Sequence, residues 1–332
     1  MAYTGPTEGR TSCLAFDFSY PRATSTGLQR GLKTITDEST LDALAPLDWM
    51  NPPTNTAKTV IPAIVNAGQI VSLVGQGGTG KSLLMFDIAM AMAAGQSVLG
   101  HPTAEAMSVL YIDMENPIGD VYARRTTLGY EDNSLERLTY YHMADMPALD
   151  TKAGGKFIEA MAGRHSPDLV IFDTISKLVA GEESKSDTWQ DLYRYSLIPL
   201  RQNNCAAIIL DHQGHDSSKG ARGSSAKRDN VDLQWIQGCN GDLITLKRDK
   251  CRTLHDTETL KIRRGGTPLR HTIEVDPVRE CITFLDSIGF TGGRPAAERE
   301  LAVHNRHWPK SVLEKALRQR KAAQTGTARN AA

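Results

Sequence analysis

The stretch from residue 70 to residue 82 reads IVSLVGQGGTGKS and decides the fold. An apolar run, Ile70–Val74, leads into six glycine-rich positions, and a Lys-Ser pair then opens an apolar helical pattern. The stretch matches G-x-x-x-x-G-K-[ST] at every position. Glycines let backbone N–H groups converge on an anion, and a helix N-terminus adds about half a positive charge. The motif therefore predicts a nucleoside triphosphate site between a strand and a helix.

The last two residues of this motif have expected chemical roles. Lys81 is expected to neutralise the β- and γ-phosphate oxygens, and Ser82 to place its hydroxyl on Mg²⁺. The predicted cofactors are therefore ATP and Mg²⁺. The predicted phosphate-binding residues are Gly75, Gln76, Gly77, Gly78, Thr79, Gly80, Lys81 and Ser82.

A second acidic group is needed to hold the metal. The apolar run Leu169–Phe172 ends in Asp173, where such an acid belongs in this kind of enzyme. Thr174 follows, so no glutamate stands beside Asp173 to orient water. Glu115, in YIDMEN after the strand Val109–Ile112, is the candidate instead, because parallel strands end at one edge of their sheet. Asp113 is a competitor that lies two residues nearer the strand interior.

A polar pair follows another apolar run, Ala206–Leu210. His212 and Gln213 are predicted to lie beside the γ-phosphate and to sense its loss on hydrolysis. The alternative for His212 is a hydrogen-bonded loop histidine, and His215 is the weaker candidate for the sensor.

The composition is that of a globular chain. Of the 332 residues, 40% are apolar and 23% are charged, which excludes a disordered chain, a collagen and a coiled coil. The longest apolar run, Leu83–Ala94, is interrupted by Asp87 and is too short to cross a bilayer. Five scattered cysteines without a CxxC pair, together with no visible signal peptide, predict a cytoplasmic protein.

Apolar runs alternate with helical patterns between residues 70 and 210, which predicts a parallel sheet covered on both faces. Beyond Gly238 the runs alternate in polarity, which is typical of antiparallel strands. These later runs are Leu243–Leu246, Thr257–Ile262, His271–Val275 and Cys281–Leu285. The fold class is therefore α/β. The predicted organisation is an N-terminal arm at 1–55, an ATPase core at 56–290 and a basic tail at 291–332 with a short helix at 311–322.

Four segments together carry a family resemblance: GQGGTGKS, YIDMEN, LVIFDT and DHQGHDSSKGARGSS. This set resembles the RecA-like P-loop ATPases, and within them the hexameric plasmid and phage replicative helicases of the RepA type. The resemblance implies a RecA-like core, a homo-oligomer with a hexamer favoured, and a neighbour's arginine at the nucleotide. By the same resemblance Arg222 is the first candidate for that arginine finger, and Lys247 and Arg248 are the next.

Local charge indicates a polyanionic partner, although the 38 basic and 38 acidic residues of the whole chain cancel. Residues 247–270 hold eight basic and three acidic residues, and residues 291–332 hold nine and three. With 6% aromatic residues, phosphate contact rather than base stacking is expected. The predicted partner is DNA, in single-stranded form, and the predicted function is an ATP-driven replicative motor. The alternatives are a recombination or repair ATPase, with or without nuclease activity, and an ATP-switched DNA-binding or loading protein.

Overall fold

The computed structural model describes residues 58–103, 105–213, 225–252 and 257–329. The strands are β1 (Thr59–Ile61), β2 (Val65–Asn66), β3 (Ile70–Gly75), β4 (Val109–Asp113), β5 (Leu138–His142), β6 (Leu169–Asp173), β7 (Ala206–His212), β8 (Leu233–Asn240), β9 (Leu243–Cys251), β10 (Thr259–Gly265) and β11 (Arg270–Ile273). The helices are α1 (Lys81–Ala93), α2 (Ile118–Leu128), α3 (Lys152–His165), α4 (Ser186–Leu192), α5 (Ile198–Gln202), α6 (Ser225–Asp229), α7 (Pro277–Ser287), α8 (Arg294–Val303) and α9 (Lys310–Arg329). A π-helical turn, Tyr193–Leu197, joins α4 to α5.

Across the described ranges, nine strands form one sheet in the order β11-β10-β9-β8-β3-β7-β6-β4-β5. The strands from β8 to β5 in this order all run parallel, and β9, β10 and β11 continue the sheet in antiparallel pairs. Strand β7 lies between β3, which leads into the glycine-rich loop, and β6, which ends in Asp173. The parallel strands therefore bring their carboxyl ends, and the predicted site residues, to one edge.

The sheet is covered on both faces, as the continuous apolar strands predict. Val71 and Leu73 of β3 point into a cluster formed with α1 and the antiparallel strands. Ile70, on the opposite face, belongs to a second cluster that includes residues of α3, α4 and α5. Side chains along a strand alternate between faces, so one strand contributes to both clusters.

The prediction that Cys281–Leu285 forms a strand is wrong, because this segment lies inside α7. Asp276 caps the N-terminus of this helix, and Pro277 is its first residue. The Asp276 carboxylate accepts a hydrogen bond from the Val278 N–H at 2.9 Å, and proline is well tolerated at the first helical position. Val278, Cys281 and Leu285 are buried at a helical period, which the five residues Cys281–Leu285 are too short to show.

Strand β8 was missed by the sequence patterns. It carries buried glutamines at positions 234 and 237 and therefore does not read as a continuous apolar run. Both glutamines are hydrogen-bonded: Gln234 donates to Asp249 at 2.9 Å and Gln237 donates to the Thr79 carbonyl at 2.8 Å. Buried amides that donate such bonds are compatible with a central strand.

Helices α7, α8 and α9 pack around a third apolar cluster, separate from the two on the sheet. The predicted helix at 311–322 lies inside α9. The predicted N-terminal arm at 1–55 lies outside the described residues. None of the described helices combines the length and the apolar character that crossing a bilayer requires. The four described cysteines, Cys205, Cys239, Cys251 and Cys281, are free thiols.

Candidate nucleotide-binding and hydrolysis site

The strand register places Gly75 between two polar residues. Gly75 pairs with His212 of β7 on one side and with Gln237 of β8 on the other. A Cβ atom at Gly75 would lie 2.8 Å from the Gln237 carbonyl oxygen, so only glycine fits there without a shift of backbone. The Gln237 side chain donates to the Thr79 carbonyl at 2.8 Å, and the Gln213 N–H donates to the Gly75 carbonyl at 3.1 Å. Both neighbouring strands thus hold the loop.

The loop itself has the backbone shape that its glycines allow. Gly78 and Gly80 have φ of 78° and 85°, a left-handed conformation that favours glycine. Lys81, the first residue of α1, turns its ammonium back into the loop and donates to the carbonyls of Gly75 at 2.8 Å and Gln76 at 3.0 Å. Burial lowers the pKa of Lys81, while the nearby carboxylates oppose this shift.

Asp173 lies fully buried at the end of β6 beside the first turn of α1. Its Oδ1 accepts from the Ser82 hydroxyl at 3.1 Å, and its Oδ2 accepts from the Tyr111 hydroxyl at 2.8 Å. No described basic side chain forms an ion pair with it, and burial, as the main cause, raises the pKa of Asp173 to about 6. A cation placed next to Asp173 would therefore stabilise its ionised form.

The donor set fits Mg²⁺ arriving with a triphosphate. Ser82 and Asp173 supply oxygen atoms 3.1 Å apart, and oxygen is the ligand that Mg²⁺ prefers. Within the described part of the chain, no group of three or more His, Cys, Asp and Glu residues could hold a metal by itself. Mg²⁺ in phosphate-handling enzymes usually binds through one or two side chains together with substrate phosphates and water.

Glu115 lies in the same site and contacts two other strand ends. Its Oε2 accepts from the Thr174 hydroxyl at 3.0 Å, and its Oε1 lies 3.4 Å from His212 Nε2. The structure thus brings Glu115, Asp173, Lys81 and His212 together, as the strand-end argument predicts. Asp113, the competing acid, is fully buried, and both of its oxygens accept hydrogen bonds from within the protein.

Tyr111 and Tyr140 carry no obvious sequence signal, and Asp113 has a structural role beyond its prediction as a competing acid. Asp113 Oδ1 accepts from the backbone N–H groups of Glu115 and Asn116 at 2.9 and 3.0 Å, so it fixes the turn that carries Glu115. The Tyr140 hydroxyl donates to Asp113 Oδ2. Tyr111 and Asp113 stand two residues apart on β4 and therefore share a face, which is the one hint that the sequence offered.

A buried ion pair lies directly behind the proposed sensor. Asp211 Oδ2 lies 2.6 Å from the Lys227 ammonium, and both side chains are almost completely buried. The ammonium also lies 4.1 Å from the centroid of the Trp189 ring. The pair joins the end of β7 to α6 and so fixes the position of the strand end that carries His212.

The three predicted finger candidates have different outcomes. Arg222 lies outside the described residues. Lys247 is exposed on β9, and Arg248 beside it lies 3.9 Å from Glu258. Arg264, at the end of β10, was not predicted: its guanidinium lies 3.6 Å from where a Cβ at Gly80 would be. An arginine of the same chain therefore stands next to the glycine-rich loop.

Much of the positive charge in residues 247–270 is engaged within the protein. Arg263 pairs with Glu274, Arg264 lies 3.7 Å from Asp242, and Arg270 stacks on Tyr130 at 4.4 Å. Lys250 donates to the backbone carbonyls of Arg228 and Asp229 at 2.7 and 2.9 Å. The count of basic residues in the sequence therefore overstates the charge that this hairpin presents to a partner.

The strand order, the glycine-rich loop and the acids at neighbouring strand ends define a RecA-like P-loop ATPase. A family model described as AAA domain (AAA_25) matches residues 36–218, more than half of the sequence, and the chain belongs to this family. The crystal structure of a KaiC-like protein from the hyperthermophilic archaeon Pyrococcus horikoshii OT3 aligns with 66% of this chain and 100% of its own, at 13% identity and a TM-score of 0.50. At this identity the likeness shows the fold.

Proposed function

We propose that this ATPase is a DNA motor, a ring helicase similar to the RepA-type enzymes, which acts in DNA replication. The observation that carries the proposal is the contact of 3.4 Å between Glu115 Oε1 and His212 Nε2. It joins the acid that would orient water to the end of β7, immediately before the Gly-Ser-rich segment 214–224. A change at the γ-phosphate can therefore reach that segment through one side-chain contact.

In the hydrolytic step, the loop amides and Lys81 would bind the phosphates of ATP, and Asp173 and Ser82 would hold Mg²⁺. Mg²⁺, when bound, neutralises charge that develops on the phosphate oxygens. Glu115 orients the attacking water, and the Thr174 hydroxyl at 3.0 Å keeps its carboxylate turned towards the site. A basic side chain from a neighbouring subunit stabilises the transition state, with Arg222 as first candidate and Lys247 or Arg248 as the next. Such a group is worth about 10³–10⁵ in rate.

The DNA part of the proposal is supported by position and charge. The segment 214–224 begins one residue after Gln213 and contains Lys219 and Arg222. Exposed cations on the C-terminal helix add to this charge, namely Lys310, Lys315 and Arg318. Binding through such groups is independent of base sequence and falls steeply with salt.

The test measures ATP hydrolysis with and without single-stranded DNA, together with strand displacement from a forked duplex. A motor gives hydrolysis stimulated by DNA, displacement that requires ATP, and DNA affinity that falls by at least tenfold between 50 and 200 mM salt, on the order expected for several phosphate contacts. Lys81→Ala serves as the control that removes hydrolysis. Light scattering with a non-hydrolysable ATP analogue measures whether a ring assembles.

Three outcomes would contradict the proposal. A persistent monomer would exclude a finger supplied by a neighbour. Stimulation by DNA without strand displacement would instead favour the ATP-switched binding or loading protein. A rate of hydrolysis that does not change with DNA would be consistent with the ATPase assignment and would contradict the assignment as a DNA motor.

A further inference from the structure

Two stacked tyrosines lie beneath the acids of the site. Tyr111 of β4 and Tyr140 of β5 are register partners in the parallel pair. Their ring centroids are 4.9 Å apart with an interplanar angle of 20°, and the Phe86 ring packs on both edge-on. This packing fixes where each hydroxyl points.

The two hydroxyls end on different carboxylates. Tyr111 donates to Asp173 Oδ2 at 2.8 Å, and Tyr140 donates to Asp113 Oδ2. Burial, as the main cause, raises the pKa of each tyrosine, so both keep their protons and act as donors. Because Tyr111 occupies Oδ2, the other oxygen of Asp173 faces the Ser82 hydroxyl at 3.1 Å.

Asp113 connects the Tyr140 hydroxyl to the turn that carries Glu115. Its Oδ1 accepts from the N–H groups of Glu115 and Asn116, and its Oδ2 is held by Tyr140. The Asn116 side-chain amide contacts both acids, with Nδ2 at 3.1 Å from both oxygens of Asp113 and at 3.4 Å from Asp173 Oδ2. One tyrosine therefore acts on the metal-binding acid and the other on the turn of the water-orienting acid.

We propose that Tyr111 is a positioning residue that directs Oδ1 of Asp173 towards the metal's shell, and that Tyr140 is a positioning residue that holds Glu115 in place through Asp113. The inference rests on the ATPase assignment and requires no DNA. The two neighbouring hydroxyls then have different functions. Tyr111 determines the Mg²⁺ concentration that hydrolysis requires, and Tyr140 determines the rate of the hydrolytic step.

The test compares Tyr111→Phe with Tyr140→Phe, which remove one hydroxyl each and keep the ring stack. Tyr111→Phe should raise the Mg²⁺ concentration for half-maximal hydrolysis by about 10- to 100-fold, the usual effect of losing a partner of a metal ligand. High Mg²⁺ should restore most of its kcat. Electron paramagnetic resonance titration of Mn²⁺ with a non-hydrolysable ATP analogue should show weaker Mn²⁺ binding without any turnover.

Tyr140→Phe should leave the Mg²⁺ requirement and the Mn²⁺ titration as in the wild type. Its kcat should fall by roughly 10- to 100-fold at every Mg²⁺ concentration, since a small displacement of a catalytic group has effects of that order. Each variant is the matched control of the other, because both change the same aromatic stack by one oxygen atom.

Asn116→Ala gives a second route if either tyrosine variant fails to fold, as judged by circular dichroism. Because Asn116 touches both acids, its loss should raise the Mg²⁺ requirement and lower kcat together. Tyrosine variants that shift the same parameter, or a Tyr111→Phe protein with wild-type Mn²⁺ binding, would overturn the inference. A wild-type protein that fails to bind the Mn²⁺–nucleotide complex would overturn the ATPase assignment instead.

Discussion

At the scale of single residues, Glu115 carries the hydrolytic step. Replacing it by glutamine keeps the hydrogen bond from Thr174 but removes the charge that orients and activates water. We expect Glu115→Gln to bind ATP within about threefold of the wild type and to lose hydrolysis by roughly 10²–10⁴-fold. A fluorescent ATP analogue and phosphate release measure the two properties. Glu159→Gln, on the exposed face of α3, is the control. Surviving hydrolysis in Glu115→Gln would assign the water-orienting role to another group.

Asp173 combines a functional role with a cost in stability. Burial raises its pKa from 3.8 to about 6, so the folded protein retains a proton that the unfolded chain releases. The free energy of unfolding therefore falls as pH rises from about 4 to about 6, by up to about 3 kcal/mol from this group. Asp173→Asn cannot ionise and should gain stability relative to the wild type between pH 4.5 and pH 7.5, while hydrolysis is lost. Thermal unfolding at both pH values measures this, and a pH-independent difference would contradict it.

At the scale of helices and strands, Asp87 ties the helix that follows the glycine-rich loop to the edge of the sheet. Its Oδ2 accepts from the backbone N–H of His271 at 2.9 Å and lies 2.8 Å from His271 Nδ1, and its Oδ1 accepts from the Tyr130 hydroxyl at 3.0 Å. Asp87→Ala leaves buried donors without acceptors, which costs about 1–3 kcal/mol each. We expect urea unfolding to show a loss of about 3 kcal/mol or more. Asp120→Asn, on exposed α2, is the control, and a loss under about 1 kcal/mol would be inconsistent with a structural tie.

The strands and helices could be predicted where periodicity and local signals agree. Strands β3, β4, β6 and β7 lie where the apolar runs Ile70–Val74, Val109–Ile112, Leu169–Phe172 and Ala206–Leu210 predict them. Cys281–Leu285 could not be assigned correctly, because a window of five residues is too short to show the helical spacing of the buried Val278, Cys281 and Leu285. Glu115 and Asp173 could be placed in one site from the sequence, because parallel strands end at the same edge of their sheet. Tyr111, Tyr140 and Lys227 could not, because their roles depend on which strands become neighbours.

At the scale of the whole molecule, the C-terminal helices have an apolar cluster of their own. Leu313 of α9 is buried within it, and the sheet has two separate clusters. We expect Leu313→Ala to destabilise the helices by about 2–5 kcal/mol and to leave Mg²⁺–nucleotide affinity unchanged. Leu210→Ala in β7, beside the site, should weaken both stability and nucleotide binding. Thermal unfolding and nucleotide titration of both variants measure this, and equal losses of affinity would show that the clusters act as one unit.

The hold of Lys81 on two carbonyls of its own loop has a consequence for any measurement of affinity. An arriving triphosphate must take the ammonium away from these oxygens, so binding exchanges one set of contacts for another. Truncating the Lys81 side chain removes two hydrogen bonds within the loop as well as a partner of the nucleotide. Weaker nucleotide binding by an alanine variant therefore combines the loss of the loop's internal hydrogen bonds with the loss of a positive charge. Lys81→Arg keeps the positive charge and therefore separates the two effects better than Lys81→Ala.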